Sequence, residues 1–358
     1  MYVVTGGAGF IGSNIVWALE HLGLGKVIVC DRLHEGDKWR NIAKRDLWDV
    51  LPPERLFGFL EDNASNIEAV IHMGAISSTT ETDVDLIMDT NFRLSVDIWK
   101  WCTHHRVRLI YASSAATYGD GAEGFDDDGS IEALAALRPL NAYGWSKNLF
   151  DRRVAGMIAA NEPRPPQWAG LKFFNVYGPN EYHKGGQRSV AHQIFESAAA
   201  ERPVRLFKSH DPGYADGGQM RDFVWVGDCV AVVQWLLANP DISGLFNMGT
   251  GQARSFDDLA SFFAIVHDKE PGPLNDGLDR RPRIGLCRTP QWSHAEQASI
   301  DAVEGAADRL AGLGAEVDEV ALPAGFDDLV ETHTKVLNVG LSRTLIEDYR
   351  NHKDRMGD

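Results

Sequence analysis

Met1-Tyr2-Val3-Val4-Thr5-Gly6-Gly7-Ala8-Gly9-Phe10-Ile11-Gly12 is an apolar run broken at once by glycines. Residues 1–5, rich in Val, suit a buried parallel strand. Gly6, Gly9 and Gly12 follow at intervals of three, and residues 13–21 read as a helix. Glycines in such a turn let backbone approach a pyrophosphate, and the helix N-terminus offers it free N–H groups. A tight turn alone needs none of this spacing, so the strand–glycine–helix order marks a dinucleotide-binding loop.

The next strand, residues 26–30, ends at Asp31, about 20 residues past the glycines, where an acid can hydrogen-bond an adenosine ribose. Arg32 and Lys38 follow, two cations suited to a 2′-phosphate. Asp31 alone favours NAD; with these neighbours the stretch points to NADP, and NAD stays open. A solvated charged loop over residues 32–40 is the plainer alternative.

Strands continue to alternate with helices. Residues 69–72 lead into Met73-Gly74-Ala75-Ile76-Ser77, a loop at a strand's C-terminal end, where open parallel sheets bind ligands. Asn91 falls on the helix that follows. Residues 107–112 form another strand, ending in Ser113-Ser114-Ala115-Ala116-Thr117-Tyr118-Gly119. Further on stands Tyr143-Gly144-Trp145-Ser146-Lys147. On a helix, positions four apart share a face, so Lys147 can sit near the Tyr143 phenol and favour its phenolate. A tyrosine tuned in this way can move a proton while a nicotinamide moves a hydride. The spacing by itself recurs in many helices; behind a nucleotide-binding loop it gains meaning. Ser114 is by itself a turn former, and Tyr143 downstream gives it a second role, a hydrogen bond to a substrate hydroxyl or carbonyl.

Composition limits the alternatives. With 358 residues and 44% hydrophobic content the chain can bury a large core, and two domains or an elaborated α/β fold are expected. A net charge of −16 argues against a nucleic-acid partner. The four cysteines stand far apart without a C-x-x-C pair, which indicates neither a metal site nor a disulfide framework. No stretch has the length and apolarity of a membrane span, and no signal-peptide pattern opens the sequence, so a soluble cytoplasmic protein is expected. The expected fold is α/β, a Rossmann-type doubly wound parallel sheet with a smaller substrate domain.

The glycine loop, the Ser114 segment and Tyr143-x-x-x-Lys147 together resemble the extended short-chain dehydrogenase/reductase superfamily of nucleotide-sugar epimerases and dehydratases. The likeness narrows with Ser77-Ser78-Thr79-Thr80-Glu81, the segment from Tyr111 to Gly119, and Phe174-Asn175-Val176-Tyr177-Gly178-Pro179-Asn180-Glu181-Tyr182-His183-Lys184-Gly185. Arg221-Asp222-Phe223-Val224 and Phe246-Asn247-Met248-Gly249-Thr250-Gly251 add to it. Residues 1–270 are in these respects similar to the ADP-L-glycero-D-manno-heptose 6-epimerases. That resemblance implies inversion of C6 in ADP-D-glycero-β-D-manno-heptose by transient oxidation and re-reduction with NADP, in lipopolysaccharide core precursor synthesis. It implies Tyr143, Lys147, Lys184 and Ser114 as the catalytic residues. As cofactor contacts it implies Gly6, Gly9, Phe10, Ile11, Gly12, Asp31, Arg32, Lys38, residues 73–77, Asn91 and Val176, besides Tyr143 and Lys147. Substrate contacts would be Ser114, Asn175, Gly186, Gln193, Phe207 and Arg221, whose fork suits phosphate oxygens. The plainer reading of Arg221 is an ion pair with Asp222, and that of Lys184 a solvated loop lysine. A homo-oligomer is also implied. The superfamily's dehydratases carry an Asp-Glu pair where this chain has Ala115 and Ala116, which counts against dehydration. Past residue 270 the likeness ends, and two alternatives stay open, an NADP-binding protein made catalytically silent by a replaced C-terminus and an epimerase or reductase of another nucleotide sugar.

The domain expectation is an NADP-binding domain over 1–170, mainly substrate-domain segments over 171–270, a turn-rich linker over 271–281 and a βαβα tail over 282–358. In the tail, strands are expected at 282–287 and 316–322, an amphipathic helix at 295–313 with Ile300, Val303, Ala307, Leu310 and Leu313 at helical spacing, and a second helix at 326–349. Arg283-Ile284-Gly285-Leu286-Cys287 and Gly314-Ala315-Glu316-Val317-Asp318-Glu319-Val320 resemble an internal piece of an amidase-signature hydrolase. Such hydrolases use a Ser-Ser-Lys arrangement in a Gly/Ser-rich stretch that this tail lacks, so no amidase activity is expected. His294 and His333 read as surface residues.

Overall fold

A computed structural model of the chain describes residues 1–199, 215–259, 283–288, 292, 297–312 and 314–320. Two compact units are present, Met1–Gly272 and Pro273–Asp358.

The first unit is built on a seven-stranded, wholly parallel sheet. In chain order its strands are β1 (Tyr2–Thr5), β2 (Val27–Cys30), β3 (Asp49–Leu51), β4 (Ala69–His72), β5 (Arg108–Ser114), β6 (Trp168–Phe173) and β9 (Gly244–Met248). They lie in the order β3-β2-β1-β4-β5-β6-β9. Chain direction along the sheet reverses between β1 and β4, which places a ligand crevice beyond their C-terminal ends. β1, β2 and β4 are buried along their whole length, as apolar strands covered on both faces must be.

Alternation along each strand splits the core into two layers. Val4, Val29, Ile71 and Ile110 pack with α1 (Phe10–His21) and, through Val230, Val233 and Leu236, with α8 (Val226–Ala238). Their neighbours Val3, Ile28, Val70 and Leu109 face the other way. There they meet α2 (Leu56–Asn63), α4 (Leu94–His105) and α6 (Ala142–Ala159) through Leu60, Ile98, Phe150 and Val154. Between them in sequence, α3 (Val84–Ile87) runs through a π-helical stretch, Met88–Arg93, into α4, and α5 (Ile131–Ala136) precedes α6. This is the expected doubly wound architecture. α8 and β9, late in the chain, belong to this body.

A second sheet joins β7 (Asn175–Tyr177), β8 (Met220–Trp225) and β10 (Ala253–Ser255) in the order β10-β8-β7. α7 (Val190–Ala199) lies between β7 and β8 in sequence.

In the second unit, β11 (Arg283–Leu286) and β12 (Glu316–Glu319) pair in parallel, with α9 (Gln297–Gly312) between them in sequence. The strands end earlier than expected, at Leu286 and Glu319, and the helix fills the described part of its expected range. Of the proposed apolar face, Ile300, Ala307 and Leu310 are half-buried, but Val303 is 42% exposed. Leu313, His294, His333 and the helix expected at 326–349 lie outside the described residues. Among the described residues no helix is long and apolar enough to cross a membrane, and no cluster of side chains could hold a metal ion.

Candidate active site

The glycine loop is formed as its sequence requires. Gly9 caps α1 without a side-chain hydrogen bond, so the helix begins at Phe10 with its first N–H groups open. A Cβ at Gly12 would collide with the Gly6 carbonyl, so only glycine lets the helix start this close to β1. Such a cradle fits a pyrophosphate. At the end of β2, Asp31 Oδ2 accepts from the Ala8 amide at 2.9 Å, which ties the ribose-side acid to the loop. Beside it, Asp31, Arg32, Leu33, His34, Val50, Leu51 and Pro52 line an open cleft of about 330 Å³ with polar and apolar walls. Leu33, Val50, Leu51 and Pro52 were not foreseen from sequence; their signal would have been their position after β2 and β3.

Both cations near Asp31 are partnered. Lys38 Nζ lies 2.6 Å from Asp31 Oδ1 and donates to the Arg32 carbonyl at 3.0 Å. Arg32 pairs with Glu54 at the surface.

The 73–77 loop is fixed from three sides. The Gly74 amide donates to Thr5 Oγ1 at 3.1 Å. Asn91, fully buried in the π-helical stretch, accepts from the Ile76 amide at 2.9 Å and donates to the Ile76 carbonyl at 3.0 Å. The same amide group donates to Ser146 Oγ on α6 at 3.1 Å, so Asn91 joins this loop to the helix that carries Tyr143 and Lys147. Below lies His72, bonded to Thr5 Oγ1 at 2.6 Å and Ser95 Oγ at 2.9 Å. Burial, aided by Lys147, drives its pKa down to about 3, so it is neutral.

Asn141 caps α6, accepting from the Gly144 amide at 2.8 Å, which starts the helix just before Tyr143. A Cβ at Gly144 would lie 2.5 Å from the Ala116 carbonyl, so glycine here lets α6 close onto the turn after Ser114. Tyr143, whose phenol feels Ser114, and Lys147 share one face of α6, as expected. The expected phenolate is not what this arrangement gives. Burial raises the Tyr143 pKa, Ser114 pulls it down, and Asp151 pushes it up. Lys147 Nζ donates to the Ala112 carbonyl at 2.8 Å. Burial lowers its pKa to about 8, against an opposing pull from Asp151. Tyr143 is therefore a protonated phenol at neutral pH, because desolvation and the Asp151 charge outweigh the pull from Ser114.

Lys184 sits in a helical turn, Tyr182–Gln187, and is brought to Phe10, with its Nζ 4.8 Å from the ring centroid. Burial lowers its pKa, and Glu181 opposes that. Glu181, itself fully buried, closes the neck of the loop by accepting from Gly178 N at 3.1 Å, Ser189 N at 2.6 Å and Ser189 Oγ at 2.8 Å. Asn180 donates to Ser13 Oγ at 3.0 Å and Asn14 to the Pro179 carbonyl at 3.1 Å, which docks the loop on α1. Lys184 is thus no solvated loop lysine.

The small sheet displays the remaining candidates. Asn175 and Arg221 are exposed on β7 and β8, and Val176 is half-buried. Arg221 lies 5.8 Å from the Phe256 ring and donates to the Met220 carbonyl at 2.7 Å. Asp222 serves Thr250 and Gly251 instead. Gly186 lies in the Lys184 turn, Gln193 donates to the Arg188 carbonyl at 2.8 Å, and Phe207 lies outside the described residues.

Residues 2–249 match the model of the NAD dependent epimerase/dehydratase family. An ADP-L-glycero-D-manno-heptose-6-epimerase from Fusobacterium nucleatum is 42% identical over 342 residues, covering 93% of this chain and 98% of the relative. One from Nitratidesulfovibrio vulgaris is 48% identical over 335 residues, with the same shares. At 93% of the chain, both alignments run past Gly272 into the tail, beyond the limit of the likeness seen from sequence motifs. The crystal structure of Helicobacter pylori ADP-L-glycero-D-manno-heptose-6-epimerase is similar at a TM-score of 0.60 and 25% identity, covering 75% of this chain and 82% of that one.

Proposed function

The chain belongs to the NAD-dependent epimerase/dehydratase family, and from that premise we propose that it is an ADP-L-glycero-D-manno-heptose 6-epimerase, inverting C6 of ADP-D-glycero-β-D-manno-heptose. The observation that carries this reading is the chain's identity of 42–48% to such enzymes over 93% of its length, together with the start of α6 at Asn141, which sets Tyr143 on the helix that closes onto the turn after Ser114.

C6 bears a hydroxyl and is not acidic, so loss and return of a proton at carbon does not invert it. The nicotinamide, when bound, supplies acceptance and return of hydride at that carbon, together with a positive charge. The chain supplies the rest. Gly6, Gly9 and Gly12 leave room for the pyrophosphate at the open start of α1. Asp31 addresses the ribose and the cleft from Leu33 to Pro52 takes the adenine. Ser114 Oγ holds the C6 oxygen, and Tyr143 Oη gives it a proton or takes one. Lys184 is the second acid/base group, needed because inversion presents the carbinol in two orientations. Its lowered pKa brings a lysine nearer the range where it can exchange protons. Arg221, on the small sheet, is a pyrophosphate partner for the sugar nucleotide.

For the cofactor, the arrangement at β2 favours NADP. Asp31 alone would repel a 2′-phosphate, but Lys38 neutralises it at 2.6 Å, and Arg32 stands exposed beside it. The tail supports no hydrolase reading, since it carries no Ser-Ser-Lys stretch, and the epimerase site is drawn wholly from residues before Gly272.

The test is conversion. Incubation with ADP-D-glycero-β-D-manno-heptose, followed by NMR at C6, should yield the L-glycero epimer with wild-type protein and none with Tyr143→Phe. A folded, cofactor-loaded protein that leaves this sugar unchanged contradicts the reading.

A further inference from the structure

Beside Lys147 on α6 lies a buried polar cluster that the proton chemistry above does not use. Asp151 stands four residues past Lys147 and eight past Tyr143, on the same face of α6. Its carboxylate accepts from Ser113 Oγ at 2.6 Å and Tyr111 Oη at 3.3 Å, and lies 3.3 Å from Lys172 Nζ. Lys172, in β6, has a side chain with no exposed surface, and that of Asp151 is 1% exposed. Lys172 Nζ also donates to Thr117 Oγ1 at 2.8 Å, and Thr117 Oγ1 donates to the Ser114 carbonyl at 2.8 Å. The network therefore joins α6, β5, β6 and the turn after β5 around Ser114, Tyr143 and Lys147.

A buried ion pair is weak evidence of stabilisation, because apolar residues of similar volume often serve as well or better. Its place here suggests another use. We propose that Asp151, backed by Lys172, is a positioning residue for the epimerisation, holding Lys147 as an ammonium and fixing the backbone of Ser114 against Tyr143. The proposal rests on the epimerase reading of Tyr143 and Lys147.

The electrostatics agree in sign. Lys147 shares a helix face with Tyr143 and meets Asp151 on its own helix, His72 on β4, and the Ala112 carbonyl on β5. Asp151 in turn faces Tyr111 on β5 and Lys172 on β6, and Lys172 also faces Asp127. His72 is neutral and Lys172 is charge-balanced by Asp151. Asp151 is thus the group that opposes the loss of the Lys147 proton. Removing its charge lets Lys147 become neutral at lower pH.

The experiment compares holoenzyme of wild type, Asp151→Asn, Asp151→Glu and the double variant Asp151→Leu/Lys172→Met. Three quantities are read: the pH profiles of kcat and kcat/KM, thermal stability, and the titration of Lys147 by NMR of ε-¹³C-lysine. In Asp151→Asn the alkaline limb and the Lys147 titration should both move down by about one unit. Its kcat should fall about tenfold or more, with KM for the sugar little changed. Asp151→Glu should restore part of both. The double variant should regain thermal stability but keep the lowered limb, because an apolar pair restores packing without the charge. An unmoved Lys147 titration in Asp151→Asn, or a double variant whose limb and kcat return with its stability, overturns the proposal and leaves a purely structural pair. Wild-type protein that does not convert the heptose contradicts the epimerase reading separately, since the Lys147 titration needs no substrate.

Discussion

Tyr143 shows how spacing and environment divide the work at the scale of single residues. Its place one turn before Lys147 was legible, because four residues on a helix fix a shared face. Its protonation was not, because desolvation depends on which strands close over the phenol, and sequence spacing carries no record of that. Tyr143→Phe should lower kcat by about 10²–10⁴-fold while cofactor titration stays unchanged. Lys147 sets the pH dependence. With its pKa lowered to about 8, it is charged below that pH and neutral above it. Activity that needs the ammonium should therefore fall as pH rises through about 8, seen as an alkaline limb in kcat/KM. Lys38 belongs to the same scale. Its pairing with Asp31 means that Lys38→Ala should weaken NADP about tenfold more than NAD in parallel fluorescence titrations. An equal loss for both would remove Lys38 from phosphate recognition. Asp151 and Lys172 were missed, though each left a trace: an acid one turn past Lys147, and a lysine inside the otherwise apolar strand Trp168–Phe173.

Among the elements, the strands were the most legible. Runs such as Val27–Cys30 and Ala69–His72 are apolar because both faces of a parallel strand are covered. The π-helical stretch Met88–Arg93 was not legible, since one extra residue per turn leaves no mark in apolar spacing. Yet it holds Asn91, the tie between the 73–77 loop and α6. Asn91→Ala leaves the Ile76 N–H and carbonyl without their partner. It should cost about 1–3 kcal/mol in urea unfolding and also weaken cofactor binding, which a stability loss alone would not do. The loop over Tyr182–Gln187 was recognised only through its motif. Its order comes from Glu181 at the neck and from Asn14 and Asn180 against α1, contacts between segments far apart in sequence.

For the whole molecule, two compact units divide after Gly272, and residues 271–277 are rich in Pro and Gly. The strand–helix–strand order of the tail was readable from its periodicity, but its buried face was not, since Val303 on the expected apolar face is exposed. All the proposed cofactor contacts precede Gly272. A chain ended after that residue should keep its NADP affinity, measured by titration; loss of binding would give the tail a part in holding the first unit together.

The most direct measurement follows the fate of the hydrogen on C6. ADP-D-glycero-β-D-manno-heptose carrying deuterium at C6 is incubated with the holoenzyme in ordinary water and examined by NMR. Inverted product that keeps its deuterium, absent with Tyr143→Phe, is the expected result. Inversion with deuterium lost to water, or no inversion at all, contradicts oxidation and re-reduction at this site.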